Sequence, residues 1–202
     1  MASIEYFYAA HSAFAYLGSA RLMAIAKAAG RTLDHRPVDL TAVIAGANHS
    51  ATSTRTDAHR AYFFGREISR WSEERSAPVM DGMPTHHRND ITLPNCTLIA
   101  GVLAGLNIDN LSHAFLEGHW KDNADLADAP TLAALARAAG YDPEPLLESA
   151  QSEAVQAQYA ANTAEAIERS VFGSPTYFVD GDMFYGQDRL EMVERTLKQP
   201  YR

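Results

Sequence analysis

The chain has 202 residues, 47% of them hydrophobic, enough to bury a substantial core as one domain with a large insertion or as two small lobes. Its 17 basic against 25 acidic residues give a formal net charge of -8, which disfavours a nucleic-acid backbone or an anionic membrane as the main partner. The lone cysteine, Cys96, excludes an internal disulfide, and the start M-A-S-I-E-Y-F-Y lacks the basic, then apolar run of a secretory signal, so a reducing cytoplasm is the expected compartment. Charges interrupt every apolar window long enough to span a bilayer.

Ile4 to Ala9 is short and aromatic-rich and reads as a strand. Ser12 follows as an N-cap, and Tyr16, Leu17, Ala20, Leu22, Met23, Ile25 and Ala26 recur at helical spacing up to Gly30. Thr32 to Leu40 reads as a second strand, with Pro37 marking an edge or a strand end, so the amino terminus is a β-α-β unit. The stretch from Thr41 to Thr56, rich in Ala, Ser, Thr, Gly and Asn, reads as a loop of the kind that closes over ligands. From Ala58 to about Leu147 the signals are helical, with Gly140 a C-cap and Asp142 to Pro145 opening a short helix. A further helix runs from about Glu153 to Ser170. Strand Thr176 to Val179, an Asp180-Gly181 hairpin turn, strand Met183 to Tyr185 and a last helix from Asp188 to Lys198 complete a β-β-α unit. The two end units are expected to share one sheet, giving an α/β domain of residues 1–42 and 168–202 with an all-helical insertion of residues 43–167.

Two distant segments carry the chemistry. F-Y-A-A-H-S-A-F-A-Y-L (Phe7 to Leu17) places Ser12 where a strand enters a helix, and V-F-G-S-P-T-Y-F-V (Val171 to Val179) places Pro175 directly before a strand. This is the layout of a thioredoxin-type thiol site, with Ser12 and Ala15 standing where C-x-x-C would be. A sulfur bound beside Ser12 would meet unpaired backbone N–H groups, the positive end of a helix dipole and a hydroxyl donor. The sulfur must then come from a bound molecule, and glutathione is the first candidate. A cis bond at Pro175 would turn the Ser174 backbone outward to pair with an extended peptide. Gly186, Gln187 and Asp188 open the last helix, where a ligand carboxylate is favoured and Asp188 can hold an ammonium group. Plain helix capping by Ser12 and Asp188 is the competing reading of each alone.

The run A-I-E-R-S-V-F-G-S-P-T-Y-F-V-D-G-D-M-F-Y-G-Q-D-R-L resembles the carboxy-terminal signature of the 2-hydroxychromene-2-carboxylate isomerase family, and S-A-F-A-Y-L resembles its amino-terminal S-P-F-S-Y-L motif. The resemblance covers essentially the whole chain, including A-N-T-x-E-A-I at Ala161 to Ile167. It implies a DsbA-like thioredoxin fold with a helical insertion, related to kappa class glutathione transferases and usually dimeric. It implies a glutathione-dependent cis-trans isomerisation of a small aromatic carboxylate, 2-hydroxychromene-2-carboxylate, to trans-o-hydroxybenzylidenepyruvate. By motif matching, Ser12 orients the glutathione thiol, Ser174 binds the cysteinyl backbone beside cis Pro175, and Gln187 with Asp188 holds the γ-glutamyl end. Asn48 matches a glutathione-contacting asparagine of the kappa enzymes, and His59 or Arg60 is left to replace the lysine expected downstream. The chain departs from the family pattern at Ala9, where aspartate is common, at Ala13, which replaces proline, at Ser174, which replaces an apolar residue, and at Tyr185, where tryptophan is frequent. A kappa-like transferase and a non-catalytic thiol- or peptide-binding module stay open as alternatives.

Other residues receive plainer expectations. His86 and His87 are adjacent, so their side chains do not converge like spaced metal ligands, and no metal is expected. His11 is placed either to steady a substrate carboxylate or to face solvent. Cys96 falls in an apolar helical pattern and reads as a buried structural residue. Tyr62, Phe63, Phe64 and Trp71 fall at helical spacing, which favours core or dimer packing over a dedicated aromatic box, with some of them left to line an aromatic substrate site.

Overall fold

The aromatic segment Ser3–Tyr8 becomes the sheet's inner strand, because Tyr6, Phe7 and Tyr8 bury apolar rings on both faces at once. In the computed structural model, which describes residues 2–47 and 56–202, this strand (β1) lies parallel to β2 (Thr32–Pro37) and antiparallel to β3 (Thr176–Val179). The hairpin partner β4 (Asp182–Tyr185) closes the order β2-β1-β3-β4. The two ends of the chain therefore share one sheet, with Ile4 opposite Val179 and Phe7 opposite Thr176. Pro37 ends the edge strand β2, where its missing N–H costs no ladder bond. Asp180 and Gly181, with φ of 50° and 93°, make the left-handed pair that a two-residue hairpin demands.

Helix α1 (Ala13–Ala28) packs on the sheet between the first two strands. Between β2 and β3 come α2 (Leu40–Ala47), α3 (Asp57–Arg60), a π-helical stretch Ala61–Arg66, α4 (Glu67–Arg75), α5 (Thr92–Leu103), α6 (Asp109–Trp120), α7 (Ala129–Ala138), α8 (Pro143–Ala150) and α9 (Glu153–Glu168). After β4, a 3-10 turn at Gln187–Arg189 leads into α10 (Leu190–Lys198). No described helix is long and apolar enough to cross a membrane.

The larger core covers one sheet face. Tyr6 stacks on Tyr8 at 4.0 Å and on Tyr177 at 5.5 Å between ring centroids, and Leu22 and Ile25 of α1, Phe115 of α6 and Val193 of α10 are buried in the same cluster. Leu98 of α5, Leu132 of α7 and Leu146 of α8 belong to that cluster too, so the helical segment and the sheet are stabilised by one continuous apolar interior. Each such side chain contributes about 1.5–3 kcal/mol by leaving water. On the opposite face, Phe7 and Phe178 pack with Val38, Val43, Ala166 and Val171.

That second cluster corrects one expectation. Residues 40–47 are helical, not loop: the Asp39 side chain accepts from the Ala42 N–H at 3.1 Å, and Val43 is fully buried against the sheet. A cap and one buried branched side chain outweigh a composition that suggested a loop. Residues 48–55 of the expected loop, Asn48 among them, lie outside the described residues. The last helix likewise begins as a 3-10 turn, with its regular part from Leu190.

Candidate active site

Ser12 stands between β1 and α1 and is only 7% exposed. Its Oγ caps α1 by accepting from the Ala15 N–H at 3.3 Å and donates to the Ser174 carbonyl at 3.2 Å, across 162 residues of sequence. The Ser174-Pro175 peptide bond is cis, and the Ser174 Oγ accepts from the Ala9 N–H at 3.2 Å. Two reciprocal hydrogen bonds thus stitch the amino-terminal motif to the carboxy-terminal one. The serine at position 174, a departure from the family pattern, supplies one of them. The Ser174 N–H makes no hydrogen bond among the described residues and is open to an added extended backbone.

Gln187 and Asp188 come to the same cleft by different means. Gln187 is 1% exposed; its Oε1 accepts from Arg75 Nε at 3.0 Å and its main-chain carbonyl accepts from the same guanidinium at 3.2 Å. Its Nε2 is buried without a partner. An orphaned amide donor of this kind is costly unless something polar meets it. Asp188 is half-exposed and paired with Arg189 at 2.8 Å. Gly186, at φ +97°, sets this turn, and a Cβ there would lie 2.4 Å from Asp188 Oδ1. Arg75 also binds Glu191 at 2.6 Å and lies 5.1 Å over the Trp71 ring, tying α4 to α10. The sequence reading missed Arg75, whose target is 112 residues away.

Two cavities open here and share Phe14, Phe63, Ser174 and Tyr185 as a common wall. The first, of about 260 Å³, adds Gln187, the carboxylates of Glu67 and Asp188, and Trp71. The second, of about 190 Å³, adds His11, Ser12, His87, Trp120 and Phe172. Phe63 and Trp71 therefore line the cleft, and Tyr62 is 53% exposed at its rim. Phe64 and Trp71 also pack against the core. Tyr185 rests on Phe172 at 4.5 Å, and a Cβ on Gly173 would fall 2.4 Å from its ring. Neither His59 nor Arg60 is among the residues lining either cavity; Arg60 pairs with Asp57.

The second cavity holds a feature the sequence did not disclose. His11 is partly buried in the cavity wall: its ring lies 4.8 Å from that of His87, and its Nδ1 is buried without a partner. His87 in turn stacks on His119 of α6 at 5.2 Å. Burial first, and neighbouring imidazoles second, push the His87 pKa down to about 4 and that of His11 to about 3. Among the described residues no group of three or more His, Cys, Asp or Glu side chains is placed to hold a metal ion. Cys96 lies buried in α5, its thiol pushed up to about 11 chiefly by burial, with Gln156 Nε2 at 3.3 Å. The cleft contains no thiol of its own.

Residues 3–198 match the family described as DSBA, the DSBA-like thioredoxin domain. The chain belongs to this family. The DSBA-like domain accounts for the sheet, the capped α1 and the cis proline as parts of one thioredoxin-like architecture carrying many additional helices. Within the family the chain is 25% identical to the 2-hydroxychromene-2-carboxylate isomerase of Sphingobium xenophagum, over 96% of this chain and 97% of that protein. It is 26% identical to the protein of the same name from Pseudomonas putida, over 96% of this chain and 93% of that one. Its fold is also that of a solved 2-hydroxychromene-2-carboxylate isomerase, with a TM-score of 0.78 at 22% identity over 97% and 94% of the two chains. The cytosolic disulfide reductase DsbM from Pseudomonas aeruginosa, solved with GSH, shares the fold at a TM-score of 0.62 and 16% identity, over 98% and 93%.

Proposed function

We propose that this protein is a glutathione-dependent cis-trans isomerase that interconverts 2-hydroxychromene-2-carboxylate and trans-o-hydroxybenzylidenepyruvate. The observation that carries the reading is the meeting of Ser12 with Ser174 and Pro175 at the junction of two cavities, in a chain whose one cysteine lies elsewhere. When bound, glutathione supplies a sulfur that adds to an unsaturated carbon and leaves again, so that a former double bond rotates with no net redox change. The donors present suit such a tripeptide. The open Ser174 N–H receives its cysteinyl carbonyl, the orphaned Gln187 Nε2 meets its γ-glutamyl carboxylate, and Asp188 with Glu67 receives the ammonium group.

Ser12 has a positioning and charge-stabilising task. Its O–H turns from the neutral Ser174 carbonyl to the anionic sulfur, exchanging an ordinary hydrogen bond for a charge-assisted one, while the N-terminus of α1 adds its dipole. The second cavity receives the aromatic ring among Phe14, Phe63, Phe172 and Tyr185 and keeps water from the reacting carbon. The family resemblance extends the reading to Asn48 as a further glutathione contact, and to a cytoplasmic homodimer.

Incubation with glutathione and 2-hydroxychromene-2-carboxylate tests the reading. Formation of the ring-opened product with glutathione fully recovered supports it. Stoichiometric loss of glutathione identifies a transferase instead, and absence of any turnover leaves a binding protein.

A further inference from the structure

His119 makes two contacts that fix its protonation pattern. Its Nδ1 lies 3.0 Å from the Ala124 carbonyl, which can only accept, so Nδ1 carries the proton. Its Nε2 lies 2.9 Å from His87 Nδ1. Burial holds His119 neutral, so this Nε2 is a lone pair and His87 must donate from Nδ1. The other nitrogen of His87, Nε2, is then an acceptor by necessity. It makes no hydrogen bond among the described residues, and the ring lines the cavity that also holds Ser12. Trp120 completes the support, donating at 2.8 Å to the carbonyl of His11, whose ring covers that of His87. The charged and titratable groups around the trio are His86 and Arg88 on the same turn, Asp125 after α6, which lies 3.4 Å from His86, and His11 before α1.

We propose that His87 is the proton acceptor of the substrate cavity, locked in its Nδ1–H tautomer by His119 and the Ala124 carbonyl so that Nε2 takes the proton of an acidic substrate hydroxyl. This deepens the isomerase reading and rests on it for the identity of the hydroxyl. In a cyclic hemiketal the hydroxyl proton passes to Nε2, its O–H electron pair forms the new C=O bond, and the ring C–O bond breaks with its pair on the aromatic oxygen. That oxygen takes the proton back from Nε2. The step balances without oxidant or reductant. His119 is a positioning residue: it acts through the tautomer of His87.

Two measurements test this. Imidazole ¹⁵N spectra of the full-length protein at neutral pH are expected to show both His87 and His119 protonated at Nδ1, and His119→Phe is expected to release His87 from that tautomer. An Nε2–H tautomer for His87 in the unaltered protein overturns the proposal. His87→Phe and His87→Gln are expected to lose about 10²–10⁴-fold in kcat, the range of general acid–base catalysis, while a calorimetric glutathione titration stays within about twofold of the parent. Parental kcat in both folded variants overturns it as well. A parent that has the Nδ1–H tautomers and binds glutathione but does not isomerise the hydroxychromene contradicts the isomerase reading while supporting the locked acceptor.

Discussion

The two walls of the second cavity solve different problems with different materials. On one side, Ser12 and Ser174 work through backbone dipoles, a hydroxyl and a carbonyl that titrate nowhere near neutral pH. On the other, His11 and His87 line the cavity and His119 stacks behind His87, all three imidazoles kept neutral by burial. The serine side is suited to hold a negative charge that a bound molecule brings, and the histidine side to move a proton. The thioredoxin-like scaffold carries no cysteine at Ser12 or Ala15 and presents there a serine-capped helix N-terminus, with His11 and His87 lining the same cavity.

The comparison can be broken from the serine side first. Ser12→Ala removes the one side-chain donor at the α1 N-terminus and is expected to lower kcat/KM about 10²–10³-fold, as removal of an oxyanion-type donor does. The helix loses a cap as well, at a cost of roughly 1 kcal/mol, so unfolding measurements on the same variant separate the two effects. A turnover loss no larger than the stability change would make Ser12 a cap only.

Gly173→Ala tests whether the wall shared by both cavities is as tight as the geometry says. Its Cβ would fall 2.4 Å from the Tyr185 ring, so the variant is expected to lose about 1–3 kcal/mol of stability or to push Tyr185 into the cleft and raise KM for both ligands. Unchanged thermal stability and unchanged KM together would contradict that packing. Arg75→Met leaves Gln187 Oε1 without its donor and the Gln187 carbonyl with the Leu190 N–H alone, and is expected to weaken glutathione binding roughly tenfold, about 1.4 kcal/mol, with kcat little altered. Equal losses in kcat and affinity would place Arg75 in the chemistry itself.

The smallest effect belongs to the histidine side and is read in stability. The folded pKa values of His87 and His11, about 4 and about 3, lie below the ordinary value of 6.5. As pH falls below 6.5 the unfolded chain takes up protons before the folded one, so stability present above that pH is lost progressively toward pH 4. His87→Phe is expected to flatten the decline of the melting midpoint over that window by a few degrees. A decline of the same steepness in that variant would mean that carboxylates, not the imidazoles, set the acid limit.

The serine side was legible in the sequence because its signals are local. An N-cap before a helical apolar pattern and an X-Pro before a strand are each read within a few residues, and Ser12 and Ser174 meet in one cleft. The histidine side was not. His87 meets His119 across 32 residues of sequence, and no local signal pairs them. Arg75 was equally hidden, since nothing near it announces a buried amide 112 residues away. Helix α2 escaped for a different reason: the polar Asn, Ser and Thr residues that follow it coloured the whole stretch as a loop, while its own apolar residues, the Asp39 cap and the burial of Val43 make it a helix.

The ionisation of bound glutathione decides whether Ser12 and the α1 N-terminus hold a thiolate. Thiolate absorbance followed against pH in the saturated complex is expected to give a thiol pKa well below the ordinary value of about 8.5, rising back toward it in Ser12→Ala. No saturable binding up to about 10 mM glutathione, or a bound thiol whose pKa is the same in parent and variant, would contradict it.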